Sequence, residues 1–394
     1  MSEQRRIRCA VMRGGTSKGL FFYEKDLPPP GEWRDRVLLA AFGSPDPRQI
    51  NGLGGATSTT SKAAIIAPAN VEGIDVNYTF GQVSVNAPQV DYHANCGNIS
   101  SAVGPFAVDE GLVPVEKPQT LVRIFNTNTG KLIEARVPVV DGGAGSPGLA
   151  AVEGETRIAG VPEPGACIAV TFVDPGGSVT GRLLPTGRVR ERLTVSGWGK
   201  LEVSMVDAGN PAVFFRAADI GLKATEGPDE LDGRQEILDL FEQIRCAAAV
   251  AMGLADDAAT ATKTTPSVPK VAAVAPPAAY RCTTGESIGA EELDLVALIM
   301  SMQRTHPAYA LTGAVATSAA AALDGSIVAE VIGGTDKSHG RLRLGHPGGV
   351  MICGVAIDEE GPEPRLRVTV ERTARRLMDG YVYVPARLWP EDEG

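Results

Sequence analysis

The stretch AYALTGAVATSAAAAL, residues 308–323, is built almost wholly from small side chains. A helix of this composition has neither a broad polar face for water nor bulk to cover a core, so it must be enclosed on every side. The chain carries the material for such an enclosure. IRCAVMR, KAAIIAP, IDVNYTF, TLVRIFNTN and RLRVTVERTAR alternate apolar and polar residues over strand lengths, the pattern of half-buried β-strands. The 46 Gly and 28 Pro among 394 residues exceed the usual ~12% for the pair and supply the turns that many short strands need. A second small-residue helix is expected over Asn98–Glu110 in NCGNISSAVGPFAVDEG, with Pro105 inside it and Gly111 as its stop.

Strands thus wrap a slim helix twice, which predicts two related α+β halves facing one another across a cleft, a favoured place for a ligand. Two further helices are expected, over Glu32–Phe42 and in DGRQEILDLFEQIRCAAAVAMG. In the second, Ile237, Leu240, Phe241, Ile244 and Ala248 share one face, and Cys246 is packing. GAEELDLVALIMSMQ reads as another helix, and SIVAEVIG as a strand.

Several function classes are disfavoured. A net charge of −10 and a pI of about 5.1 argue against a broad basic face for nucleic acid, while leaving room for one locally positive pocket. No apolar run approaches the ~18 residues of a membrane span, and MSEQRRIRCAVMRGG lacks a signal-peptide core, so a cytoplasmic protein is expected. Cysteines 9, 96, 167, 246, 282 and 353 are scattered without close pairs, which is not a disulfide framework. His93 and Cys96 are three apart, but two ligands make no closed metal site; no metal is expected. Gly143, Gly145 and Gly148 form a G-x-G-x-x-G, yet Pro147 lies within it and no βαβ pattern surrounds it, so it reads as loop rather than as a dinucleotide site.

Five stretches carry candidate chemistry. Cys96 stands where a strand ends and a helix begins, a place where free N–H groups stabilise a thiolate or a ligand's carboxylate. Composition alone leaves it open whether this is a working thiol or a buried structural one. Gly97 lets a ligand approach the backbone, and Asn98 can cap the helix or donate to the ligand. The loop GGATSTTSK supplies hydroxyls, with Ser58 and Thr59 among them, and ends in Lys62 at the mouth of an apolar strand. An ammonium there loses solvation, which lowers its pKa and suits it to proton transfer; a lysine that reaches back to solvent is the plainer reading. MRGGTSKG offers Thr16 and Ser17 in a turn. Asn210 in DAGNP and His346 in GHPGG also sit in turns.

Together MRGGTSKG, GSPDPRQINGLGGATSTTSK, FGQVSV, NCGNISSAVGPFA, DAGNP and GHPGG resemble the PrpF family of cofactor-independent isomerases, almost from end to end. That family includes 2-methylaconitate and aconitate isomerases, 3-methylitaconate Δ-isomerase and 4-oxalomesaconate tautomerase. The resemblance implies the diaminopimelate-epimerase-like fold, with two pseudo-symmetric domains, each a β-barrel-like sheet round a central helix. The domains are expected at 1–184, with a returning C-terminal strand at about 378–388, and at 185–377. It further implies Lys62 and Cys96 as catalytic residues. Thr16, Ser17, Ser58, Thr59, Gly97, Asn98, Asn210, Lys270, His306 and His346 are expected to hold a small anionic unsaturated carboxylate, with no cofactor. Racemases of the wider superfamily use a cysteine at each central helix, and none stands before the second helix here, which counts against amino-acid racemisation. A non-catalytic carboxylate-binding accessory protein for a dehydratase is the other alternative, and a homodimer is compatible with the resemblance.

Overall fold

The computed structural model describes residues 3–143, 147–334, 340–358 and 365–390. Gly145 of the glycine motif lies outside them, and Leu149–Ala150 beyond it form a short strand rather than a helix.

The first half contributes β1 (Gln4–Gly14), β2 (Ser17–Tyr23), α1 (Glu32–Phe42), β3 (Lys62–Pro68), β4 (Val76–Val83), α2 (Gly97–Asp109), β5 (Gln119–Asn126), β6 (Lys131–Val140) and β7 (Ile168–Val173). The second contributes β8 (Gly199–Ala208), β9 (Asn210–Arg216), α3 (Gln235–Ala251), β10 (Lys270–Ala275), β11 (Leu295–Ser301), α4 (Leu311–Ala321), α5 (Ile327–Ile332), β12 (Gly340–His346), β13 (Gly349–Asp358) and β14 (Arg365–Arg372). Within β1–β7, neighbouring strands pair antiparallel, parallel, antiparallel, parallel, antiparallel, antiparallel. Within β8–β14 the same series recurs in the same order. The last strands of the two runs, β7 and β14, pair with each other. A final strand, β15 (Ala374–Pro385), returns to β1 and pairs with it from Gly14↔Ala374 to Gln4↔Pro385. The return therefore starts a few residues earlier than expected. This is the α+β fold of two strand-wrapped helices.

Each central helix is enclosed as its composition requires. Every residue of α4 is buried, as is every residue of α2 up to Val108. Their small side chains let strands approach, and their hydroxyls turn inward: Thr317 and Ser318 donate to the carbonyls one turn back, at 2.8 Å each. Both helices belong to one apolar cluster that also takes residues from the surrounding strands of both halves. The outer faces are covered by α1 over the first sheet and α3 over the second. Burying a large apolar side chain there stabilises the fold by roughly 1.5–3 kcal/mol.

Two expectations fail. GAEELDLVALIMSMQ contains no α-helix: Ala290–Glu292 make one 3-10 turn and β11 follows. LVALIMS is an apolar run of strand length without a helical period, and the slot between β10 and β12 gives its backbone partners on both sides. SIVAEVIG is α5, because the Ser326 hydroxyl accepts the Ala329 N–H at its start and Gly333 closes it in the left-handed region. Among the described residues no helix is long and apolar enough to cross a membrane.

Candidate active site

The repeat sets two lysines in equivalent places. β1 and β2 form a tight hairpin in which Gly14 faces Ser17, and Lys62 pairs with Gly19, the third residue of β2. In the second half Ala208 faces Asn210 across Gly209, and Lys270 pairs with Ala212, the third residue of β9. Both lysines are buried and line one cavity together with Ser17, Cys96, Gly97, Asn98 and His306. The cavity lies where the N-termini of α2 and α4 meet.

Lys62 is held by its strand neighbour. Its Nζ donates to Gln82 Oε1 at 2.9 Å and lies 5.2 Å from the centre of the Phe80 ring. The Gln82 amide cannot turn round, because its Nε2 donates to the carbonyls of Ser58 and Ser61 at 3.1 and 3.0 Å. An acceptor oxygen therefore always faces the ammonium. Gln82 was not singled out in the sequence; its signal was the pairing partner of Lys62 across β3 and β4.

Lys270 has no such acceptor among the described residues. Burial, and then the nearby Lys62 charge, bring its pKa down to about 8, so near neutral pH it changes charge readily. The His306 ring is pushed down to about 3 by burial and by both lysines, and it is neutral. Its Nδ1 accepts the Ala308 N–H at 3.1 Å, which leaves the ring proton on Nε2 as a donor.

Cys96 is the N-cap of α2, in extended conformation and half-buried, and its carbonyl accepts the Ser100 N–H at 2.8 Å. Ala310 takes the corresponding N-cap of α4. A methyl group thus stands where a second thiol would be needed for two-thiol proton exchange. Gly97 has no room for a side chain, since a Cβ would come within 2.9 Å of Leu311 at the start of α4. That close approach brings the two helix N-termini together.

Other expected residues have different places. Asn210 does not line the cavity: it accepts the Asn95 N–H and donates to the Asn95 carbonyl, both at 2.9 Å, and donates to Thr312 at 2.8 Å. Two of these bonds fix the turn that carries Cys96, from the other half of the molecule, and the third ties it to the start of α4. Ser58 and Thr59 are outside the cavity too, and contribute backbone carbonyls to Gln82 and to the Lys18 N–H. Thr16 and His346 line a second cavity. Gly15 lies between, at φ +49°, and a Cβ there would strike Asn98 Oδ1 at 2.2 Å, so only glycine lets the hairpin sit on α2. Among the described residues no group of three or more His, Cys, Asp or Glu is placed to hold a metal.

The buried histidines give a stability prediction. His346, like His306, is pushed down to about 3 by burial, whereas both protonate near pH 6.5 when unfolded. From about pH 6.5 down to 3 the unfolded chain binds more protons, so stability falls with pH by up to about 1.4 kcal/mol per pH unit for each ring. His93 opposes this, since its hydrogen bond with Asp91 raises its pKa, but it is one half-exposed ring against two buried ones. The urea midpoint should drop between pH 7 and pH 5; an unchanged midpoint would mean that the buried rings take up protons without unfolding.

Comparison with known proteins agrees across the whole chain. The pattern of the family described as "PrpF protein" matches residues 4–385. The 3-methylitaconate isomerase of Eubacterium barkeri is 45% identical over 385 residues, 98% of each chain. The 2-methyl-aconitate isomerase of Shewanella oneidensis is 40% identical over 399 aligned residues, 97% of this chain and 98% of that one. A crystal structure of methylitaconate-delta-isomerase superposes with a TM-score of 0.77 at 43% identity, covering 100% of this chain and 99% of that chain.

Proposed function

The chain belongs to the PrpF family, and from that premise we propose that it moves a proton across the allyl unit of an unsaturated di- or tricarboxylate. It is an isomerase of unsaturated carboxylates, as its relatives are. The observation that supports the finer reading is the pairing of two buried lysines with a helix N-terminal thiol around one cavity. Lys62 removes the allylic proton at one end of the unit or delivers it there. In its cationic form it also steadies the dienolate that forms when the conjugated carboxylate takes up charge. Cys96 is its acid/base partner at the opposite end of the unit. Lys270, the Nε2–H of His306, the Ser17 hydroxyl and the free N–H groups of α2 hold carboxylates. Asn210 and Gln82 position Cys96 and Lys62.

The same reading takes residues 1–184 with the returning strand as one domain and 185–377 as the other. It includes independence from cofactors, a cytoplasmic location and a homodimer. Its substrate is 3-methylitaconate, 2-methylaconitate or a close analogue.

In D₂O, the chain should convert one of these acids while deuterium appears at the allylic carbon in proton NMR. Saturable binding without exchange in either acid would instead make it a carboxylate-binding accessory protein. Exchange with inversion at an amino acid's α-carbon would make it a racemase, which the alanine at the α4 N-cap speaks against.

A further inference from the structure

A second cavity lies on the other side of Asn98. It is lined by Thr16 from the β1–β2 turn, by Arg157, by Arg341 and His346 of β12, and by Arg372 at the end of β14. Arg372 is 5% exposed, and no carboxylate among the described residues lies within ion-pair distance of it. Its hydrogen bonds go to neutral acceptors: Nε to Asn98 Oδ1 at 3.3 Å, one terminal nitrogen to the Glu371 carbonyl at 2.8 Å, the other to Met351 Sδ at 2.8 Å. A guanidinium has five N–H groups, so donors remain. A buried charge without a counter-ion is unfavourable, and burial already weakens this one's hold on its proton, to a pKa of about 10.

His346 makes a second, independent point. It is 1% exposed and its Nδ1 accepts the Gly348 N–H at 3.1 Å, so the neutral ring carries its proton on Nε2, which has no partner. Two buried donors thus line one cavity without an acceptor of matching charge. Arg157 and Arg341 are exposed at its mouth, against a single lining acid among the described residues, Glu371, which is itself exposed.

We propose that this cavity is a second carboxylate site, separate from the lysine cavity, and that it takes a small dicarboxylate. One carboxylate sits on Arg372 and His346 and the other on Arg157 and Arg341. A planar carboxylate matches the guanidinium fork, and the two cation sets, one deep and one at the mouth, suit a ligand with two such ends. The site is joined to the first through one side chain: Asn98 receives from Arg372 on one side and donates to Thr16 Oγ1 at 3.0 Å, while also lining the lysine cavity. The assignment does not depend on which acid the lysine cavity turns over, or on whether it turns over any.

Calorimetric titration of the full chain with succinate tests it. Arg372→Met should bind one succinate fewer per chain than the parent, while a site that responds to Lys270→Met persists. An unchanged number of sites and unchanged affinity in a folded Arg372→Met would overturn the proposal. Should that variant fail to fold, the exposed pair Arg157→Ser/Arg341→Ser should weaken the Arg372 site about threefold or more; no weakening would overturn it equally. Inorganic sulfate is the other arm: binding at the Arg372 site as tight as succinate's would mean a compact inorganic anion and would overturn the dicarboxylate assignment.

Discussion

Replacing Lys62 by methionine should leave a folded chain that isomerises its unsaturated carboxylate about 10²–10⁴-fold more slowly, the span typical of a lost general acid or base. Methionine fills the space of the lysine stem, so the apolar contacts of β3 survive. What is lost is the ammonium between Gln82 and the Phe80 ring. The Gln82 carbonyl oxygen is then left without its donor, at a cost of about 1–3 kcal/mol, which melting will register as a modest shift. Carboxylate binding should persist, because Lys270, His306 and the α2 N-terminus remain. Solvent deuterium exchange followed by proton NMR, with binding measured on the same sample, separates the two effects. Near-parental exchange in this variant would remove Lys62 from the proton path and leave Cys96 and Lys270 to account for it.

The second large effect is a pH limb set by Lys270. In the free enzyme this lysine is charged below about pH 8 and neutral above it. As the cation that receives a carboxylate, it should make kcat/KM fall as pH rises through about 8. Lys270→Arg should move that limb above pH 10, since a guanidinium keeps its charge. Lys270→Met should abolish the limb and lower kcat/KM at pH 7 by about 10–100-fold, the worth of one hydrogen bond to a charged group. A kcat/KM that rises through pH 8, with the rise lost in Lys270→Met, would reverse the roles and make Lys270 the base and Lys62 the standing cation.

The equivalence of the two lysines bears on how the site came to be asymmetric in chemistry while symmetric in frame. Each stands opposite the third residue of the strand that leaves the hairpin beside a central helix. Lys62 has a fixed acceptor in Gln82, whereas Lys270 faces the positive charge of Lys62. At the helix N-caps the same break appears as Cys96 against Ala310. The second thiol of a two-thiol arrangement is thereby missing, and one thiol and two lysines line the cavity.

Much of this could be read from residues alone. Period-two alternation located the strands, because side chains in a strand alternate faces whatever their partner. The lack of any broad polar face on α2 and α4, rich in small residues, dictated enclosure, and Lys62 was conspicuous as a charge at the mouth of KAAIIAP. Local pattern failed where the deciding contact was distant. LVALIMS is strand because β10 and β12 flank it, and its apolar run alone fits a buried helix as well. Asn210 looked like a ligand donor but spends its amide on the backbone of Asn95, in the other half of the chain. Thr16 and His346 share a cavity with an unpaired buried arginine rather than with Lys62. The meeting of Lys62 with Lys270 depends on Gly97 admitting Leu311 and on the two sheets closing through β7 and β14. Periodicity and composition act over a few residues and so determined the elements and the enclosed helices; burial, charge proximity and hydrogen-bond partnership are set by residues far apart in the chain, and only the packed structure could decide them.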